Sequence, residues 1–202
     1  ATGRPYLTRG FFGVRWALYF AFWIGVSGWM LRRSVAQDGA GGLEPLHRLR
    51  QLSPLVMIGI ALTTTFASVD YVMSLDPTWH SALFGVYFLS GCVTAAVATM
   101  ALMVAFLHRH GRLLRAVTAP HRHDLGRTLF VCTLSWAYLA FSQFLLIWYA
   151  AIPEETAHYA VRARGGWLGV AVGLILGHFL LPFLGLMSAR AKRGGRTLAF
   201  WS

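Results

Sequence analysis

The chain has 202 residues, of which 56% are hydrophobic and 12% are charged. A soluble domain carries about twice that share of charged residues, and disordered segments are poor in apolar residues, so both classes are excluded. The net charge of +11 comes mainly from short clusters of arginine residues between long apolar runs. This arrangement argues against a nucleic-acid-binding surface, which would be a basic stripe on a folded soluble domain. Cys92 and Cys132 lie within such runs, so neither a disulfide framework nor a cysteine-rich metal site is expected.

Five segments are long and apolar enough to cross a bilayer, which takes about 20 helical residues. They are 11–31, 54–75, 82–107, 128–152 and 167–187. We therefore expect an all-α fold, a single polytopic transmembrane helix bundle without a soluble domain. Because the chain begins at Ala1 and ends in the apolar stretch 198–202 after a basic loop, we expect it to be an internal piece of a longer protein.

The basic residues predict how the spans are oriented. Thirteen arginines and lysines fall in the loops on one side of the five spans and four on the other. Since cytoplasmic loops carry the excess of Lys and Arg, the side with thirteen is predicted to be cytoplasmic. Four acids then lie toward the outer face: Asp70, Asp76, Glu154 and Glu155.

The first two spans carry charged residues that we expect to pair. Arg15 lies one turn into the first span, and Asp70 lies in the second span at a compatible depth. Ionisable groups inside a membrane are costly and often mark a pathway, but a purely structural ion pair is an equal alternative. Thr63, Thr64, Thr65 and Ser68 precede Asp70 and either relay protons or hold helices together.

The loop after the second span, 70–80, contains Asp76, Trp79 and His80. We expect these residues to lie at the same outer surface as the loop after the fourth span, which carries Tyr149, Glu154 and Glu155. The alternative without a functional role is that the aromatic residues are interfacial anchors and the acids are solvated. On the opposite side, His108, His110, His121 and His123 lie among five arginines and are either solvated or bound to lipid headgroups.

The fourth span places Ser135, Tyr138, Ser142 and Tyr149 on one helical face, next to Gln143. Such a face either relays protons or joins helices. Small residues at four-residue spacing predict close helix packing at Gly91 and Ala95 of the third span, and at Gly169, Gly173 and Gly177 of the fifth.

The fifth span places His178 near the membrane midplane, four residues before Pro182. Because proline has no N–H, the His178 carbonyl loses its helical partner beside a titratable ring. A proton-handling role and an ordinary interhelical hydrogen bond are the two alternatives. Since only one histidine is deep, a bis-histidine haem is not expected.

Three long stretches carry a resemblance to a known family. They are Asp70–Gly91 (DYVMSLDPTWHSALFGVYFLSG), His123–Arg162 and His178–Arg193 (HFLLPFLGLMSARAKR). They resemble the F subunit of bacterial alternative complex III, a quinol:cytochrome c oxidoreductase, and through it the NrfD/polysulfide-reductase membrane subunits. Thr78 and Ala151 depart from the family pattern, which more often has His and Asn there.

The resemblance implies a cofactor-free, multi-pass subunit of the bacterial cytoplasmic membrane. Its partners would be lipids, quinol, a homologous NrfD-like subunit, and subunits that hold the haem and iron–sulfur clusters. The chain would contribute to quinol binding or proton conduction and would not be an enzyme alone. Proton-pathway candidates are Asp70, Tyr138, Ser142 and His178; quinol-site candidates are Arg15, Asp76, His80, Gln143, Tyr149, Glu154 and Glu155.

Two other function classes are open at this point. One is a structural anchor that holds peripheral redox subunits. The other is a secondary transporter, although neither an inverted repeat nor paired broken helices are evident in the sequence.

Overall fold

The computed structural model describes residues 8–40, 44–76, 79–112, 116–188, 192 and 195–201. These residues form helices and turns, and no strand occurs within the described ranges. Five helical segments are long and apolar enough to cross a membrane: Arg9–Gln37, His47–Leu75, Phe84–Arg109, Ala119–Ala150 and Gly166–Met187. The predicted all-α, polytopic fold with five spans is therefore confirmed. The chain divides into two compact units, Ala1–Asp76 and Pro77–Ser202, which are described separately.

The first unit is a pair of long helices, α1 (Arg9–Ala40) and α2 (Glu44–Tyr71), followed by a short 3-10 turn at Met73–Leu75. The helices contact at successive levels. The Phe22 ring lies against Gly59, where an added Cβ would come within 2.6 Å of Phe22 Cζ. One turn further along α2, the Trp23 indole donates to Thr63 Oγ1 at 2.9 Å.

The α2 helix begins ten residues before the predicted span and contains Pro54 in its interior. Proline lacks the N–H that would bond to the carbonyl four residues earlier, which is that of Arg50. The Ser53 hydroxyl donates to this same carbonyl at 3.0 Å. The side chain next to the proline thus supplies the missing donor, and the helix continues through it.

The second unit is built on α3 (Phe84–Arg109) and α4 (Ala119–Ala150), which share its most extensive packing. The α4 helix starts nine residues before the predicted span because Thr118 and His121 form a capping box and a proline occupies the first turn. It ends at Ala151, which adopts the left-handed conformation (φ 51°). A short helix, α5 (Pro153–Arg162), follows.

The fifth span is helical throughout but not uniformly α-helical. It comprises α6 (Gly166–Gly173), a π-helix (Leu174–Leu180) and α7 (Leu181–Met187). The predicted disturbance before Pro182 is therefore present, as a seven-residue π-helix that includes His178. A π-helix bonds each carbonyl to the N–H five residues ahead, and it often occurs at functional sites.

A last described helix, α8 (Gly195–Trp201), packs against α3, α4 and α7. Here Ala101, Leu129, Leu186 and Leu198 form the hydrophobic core of the second unit, one residue from each of the four helices. Most other apolar side chains of the spans are exposed on this chain, as is typical of helices in contact with lipid.

Candidate functional site

A charged cluster lies between α1 and α2 in the first unit. Arg15 donates through Nε to Asp70 Oδ2 at 2.8 Å and through Nη2 to Asp70 Oδ1 at 3.0 Å. The Tyr19 hydroxyl donates to Asp70 Oδ2 at 2.9 Å. Asp70 is only 2% exposed and Arg15 only 9%, so this is a buried, bidentate ion pair. The predicted pairing of Arg15 with Asp70 is confirmed.

Aromatic rings surround this ion pair. The Arg15 guanidinium lies 4.5 Å from the centroid of the Phe11 ring and 5.9 Å from that of Phe12. The Tyr71 ring makes an edge contact with Tyr19, with centroids 6.1 Å apart. A cation over aromatic faces is favourable when it is shielded from water. Both oxygens of the Asp70 carboxylate accept hydrogen bonds from α1.

The polar residues that precede Asp70 serve the helix itself. Thr63 Oγ1 donates to the carbonyl of Gly59 at 2.8 Å while it accepts from Trp23. Ser68 is buried and donates to the carbonyl of Thr65 at 2.7 Å. The bond from Trp23 joins α1 to α2, as in the alternative in which the hydroxyl groups hold helices together, whereas the Ser68 bond stays within α2.

A second cluster lies in the second unit where α3 begins and α4 ends, together with α5. The Trp79 indole is 4% exposed and stacks on the His158 ring, with centroids 3.9 Å apart and planes 12° apart. On α4, the side chain of Gln143 is 5% exposed and lies near enough to the Tyr159 phenol of α5 to lower its pKa. Since His158 and Tyr159 are neighbours on α5, these four side chains form one continuous group.

Two polar atoms of this cluster have unmet hydrogen-bonding capacity. Trp79 Nε1, a donor, and Gln143 Oε1, an acceptor, are both buried, and the described part of the chain offers a hydrogen-bond partner to neither. A buried polar atom without a partner costs about 1–3 kcal/mol, so such atoms need an explanation such as a bound water or ligand. A hydroxyl group, which both donates and accepts, is able to satisfy either atom.

Tyr159 lies outside the predicted spans, at the edge of this cluster. Burial raises the pKa of its phenol above the ordinary value of 10.0, and the nearby Tyr87 adds to the rise. Arg162 and the Gln143 side chain oppose the rise in pKa. Tyr159 is therefore a neutral hydroxyl at physiological pH.

The cluster continues toward the π-helix. The Tyr87 ring packs against the Trp136 ring, with centroids 5.7 Å apart. The Trp136 ring also meets His178 edge-on, at 4.5 Å between centroids. An added Cβ at Gly91 would lie 3.6 Å from Trp136, so the predicted close approach at Gly91 is present. His178 is otherwise exposed on this chain, rather than enclosed by it.

The inward side of α4 differs from the polar face singled out in the sequence. The buried residues are Gly126, Leu129, Thr133, Trp136, Gln143 and Ile147. Tyr138 is 68% exposed and Tyr149 is 84% exposed, while Ser142 is half-buried. Within this chain the face that carries the two tyrosines is therefore exposed, and Trp136 is the α4 residue that packs against Tyr87 of α3.

The remaining candidates lie at the surface or near it. His80 and Glu154 are exposed, and Asp76 and Glu155 are half-buried. Both glutamates lie in the first turn of α5, where the helix dipole favours negative charge. The glycine face of the fifth span packs against no other described helix, since an added Cβ would meet no atom within 4 Å at Gly169, Gly173 or Gly177. The predicted packing of that glycine face is therefore not present within the described chain.

Sequence reasoning missed several residues of these clusters. Tyr19 was detectable, because it lies one helical turn after Arg15 on the same face. The alternative in which Trp79 is an exposed interfacial anchor does not hold within this chain, because Trp79 is buried. His158, Tyr159 and Tyr87 gave no signal, since their proximity depends on how α5 folds back on α3 and α4.

Among the described residues, no three His, Cys, Asp or Glu side chains form a group that could hold a metal ion. No protein-family model matches the chain, and no curated protein sequence matches it either.

Proposed function

We propose that this chain is an integral membrane subunit of a bacterial quinol:electron-acceptor oxidoreductase complex, of the alternative complex III type. It contributes to quinol binding and to the movement of the released protons, and it has no redox centre of its own. The haem and iron–sulfur clusters belong to partner subunits, one of which is a homologous NrfD-like subunit. The stretches quoted above as resembling the F-subunit family are one support.

The observation that carries the proposal is the unmet donor and acceptor in the aromatic cluster of the second unit. Trp79 Nε1 and Gln143 Oε1 are buried without partners among the described residues. Aromatic rings suit a planar ring system, and a quinol carries hydroxyl groups that donate and accept. The neutral Tyr159 hydroxyl beside Gln143 adds a further polar group.

Quinol oxidation releases two electrons and two protons, and each needs an acceptor. In the proposal the electrons pass to a redox centre of a partner subunit. The protons pass to groups at the surface near the cluster, where His80 is exposed and Glu154 and Glu155 open α5. A direct proton transfer needs the quinol oxygen and the accepting atom of the protein to lie within about 3 Å of each other, or to be bridged by one water.

The quinol proposal is tested in the intact complex with two variants that each remove one unmet atom. Trp79→Phe keeps an aromatic ring but deletes the indole N–H, and Gln143→Leu deletes the amide. Losing one hydrogen bond of about 0.5–1.5 kcal/mol raises KM for quinol about twofold to tenfold. Matched controls are Trp148→Phe and Gln51→Leu, because both parent side chains are exposed.

In both test variants we expect complex assembly and cluster and haem content to stay at the level of the wild type. An unchanged KM and an unchanged affinity for a quinone analogue in both variants would refute quinol binding at this cluster.

The proton-conduction part of the proposal concerns Asp70 and His178. If these residues serve proton conduction, Asp70→Asn and His178→Leu leave the complex assembled but lower coupled turnover at least tenfold. A tenfold loss of rate corresponds to about 1.4 kcal/mol of activation free energy. Coupled activity that stays normal for each assembled complex in both variants would exclude this role.

A structural anchor is the second candidate, and one observation favours it. Both oxygens of the Asp70 carboxylate accept hydrogen bonds from Arg15, and one also accepts from Tyr19, as expected of a pair that fixes α1 against α2. An anchor predicts that the variants above reduce the amount of assembled complex but not its activity per complex.

The proposed location is the bacterial cytoplasmic membrane, with the basic loops inside. Cysteine labelling of intact cells tests this orientation. A cysteine at Thr156 should react with an impermeant probe, and one at Ala119 should stay protected; the reverse pattern would invert the topology.

A further inference from the structure

Basic side chains gather at the end of the second unit where α3 ends and α4 begins. Arg122 Nη1 lies 3.3 Å from His108 Nε2 and donates to the carbonyl of Val117 at 3.2 Å. These contacts hold the Arg122 guanidinium between the end of α3 and the start of α4. Because arginine only donates, the His108 nitrogen is the acceptor in this pair.

Lys192 joins this end from the segment after α7. Its side chain packs on α4, where an added Cβ at Gly126 would come within 3.0 Å of Lys192 Cβ. Its ammonium group lies 5.0 Å from the centroid of the Phe130 ring. A lysine that covers an aromatic ring in this way holds its charge at the edge of the apolar bundle.

The charges at this end are unbalanced. Within the described ranges it carries five permanent cations and one acid, Asp124; the cations are Arg109, Arg112, Arg122, Arg127 and Lys192. Such a concentration of like charge attracts an anion. Guanidinium groups match the oxygens of a phosphate in two-pronged hydrogen bonds.

Exposed apolar side chains continue directly from this basic end. The His110 ring lies 4.3 Å from the Phe106 ring, and Phe106 is 61% exposed. Met103, one turn deeper on α3, is 60% exposed, and Val131 of α4 is 58% exposed. A free phosphate gains nothing from contact with these apolar side chains, whereas the acyl chains of a lipid pack against them.

We propose that this basic end, formed by His108, Arg109, Arg112, Arg122, Arg127 and Lys192, is a binding site for the phosphate headgroup of an anionic phospholipid. The headgroup contacts the cations, and the acyl chains lie along the exposed apolar side chains of α3 and α4. Basic groups between transmembrane helices are a known way to bind anionic headgroups. This site is independent of the proposed quinol function, which concerns the other end of α3 and α4.

The test is native mass spectrometry of the intact complex, delipidated and then titrated with cardiolipin or with phosphatidylethanolamine of matched acyl chains. We expect cardiolipin to be retained at least tenfold better. Arg122→Gln should lower cardiolipin retention about tenfold, and Arg122→Lys should restore part of it, because charge returns without the two-pronged geometry. The control is Arg164→Gln, an exposed arginine after α5, which should change nothing.

Arg127→Gln keeps the test valid if Arg122→Gln fails to assemble, because the Arg127 side chain is exposed. Equal retention of the two lipids, or equal losses in Arg127→Gln and Arg164→Gln, would overturn the proposal. Full displacement of cardiolipin by millimolar inorganic phosphate would reassign the site to free phosphate and would overturn the lipid assignment.

Discussion

The buried ion pair between α1 and α2 permits a quantitative prediction. Replacing Arg15 by methionine removes the cation that pairs with the buried Asp70 carboxylate, while Tyr19 continues to donate to it. Breaking a buried pair by removing one partner costs about 3–5 kcal/mol, because the other charge stays buried. We therefore expect Arg15→Met to lower the free energy of unfolding by that amount.

Two further variants separate the parts of this cluster. Tyr19→Phe removes one hydrogen bond to a charged oxygen, which contributes about 1.5–3 kcal/mol. In the double variant Arg15→Met/Asp70→Leu both charges are gone, so most of the lost stability should return. The Arg15→Met and Asp70→Leu effects should therefore be strongly non-additive.

The assay is thermal or denaturant unfolding of the purified protein in detergent, followed by circular dichroism. Arg9→Met is the matched control, because Arg9 is an exposed arginine on the same helix and should change stability by no more than about 0.5 kcal/mol. Additive single effects, or an Arg15→Met effect no larger than that of Arg9→Met, would refute the assignment of a buried ion pair.

Three other predictions follow from local geometry. Gly59→Ala would place a Cβ 2.6 Å from the Phe22 ring, so it should lower the free energy of unfolding by about 1–3 kcal/mol. Gly25 faces open space, so Gly25→Ala should leave the free energy of unfolding unchanged or raise it by up to about 1 kcal/mol in the same assay. Ala151→Gly should stabilise by about 1 kcal/mol, because the left-handed φ of 51° costs alanine that amount; no rise in melting temperature would count against it. Because the pKa of Tyr159 is raised in the folded state, its contribution to stability is present below pH 10.0 and is lost as pH rises further. Tyr159→Phe should lessen the alkaline loss of stability, as measured by unfolding between about pH 9 and 11, and an identical pH profile would contradict the raised pKa.

The sequence by itself determined the membrane-spanning helices, because long apolar runs have no other stable arrangement in a bilayer. It also indicated the partner of Arg15, since an unpaired charge inside a span is too costly and Asp70 lies at the same depth. The disturbance before Pro182 was predictable for a similar reason, because proline removes one backbone donor wherever it occurs.

Tertiary structure decided which polar residues meet. Sequence spacing identifies the faces of α4, but every face of a membrane helix is largely apolar, so hydrophobicity does not show which one turns inward. The contact of Trp136 with Tyr87 and His178 settled this choice and left Tyr138 and Tyr149 exposed. The burial of Trp79 was decided by α5, whose His158 reaches it across nearly eighty residues of sequence. Such contacts depend on how the chain folds back on itself, which local patterns do not encode.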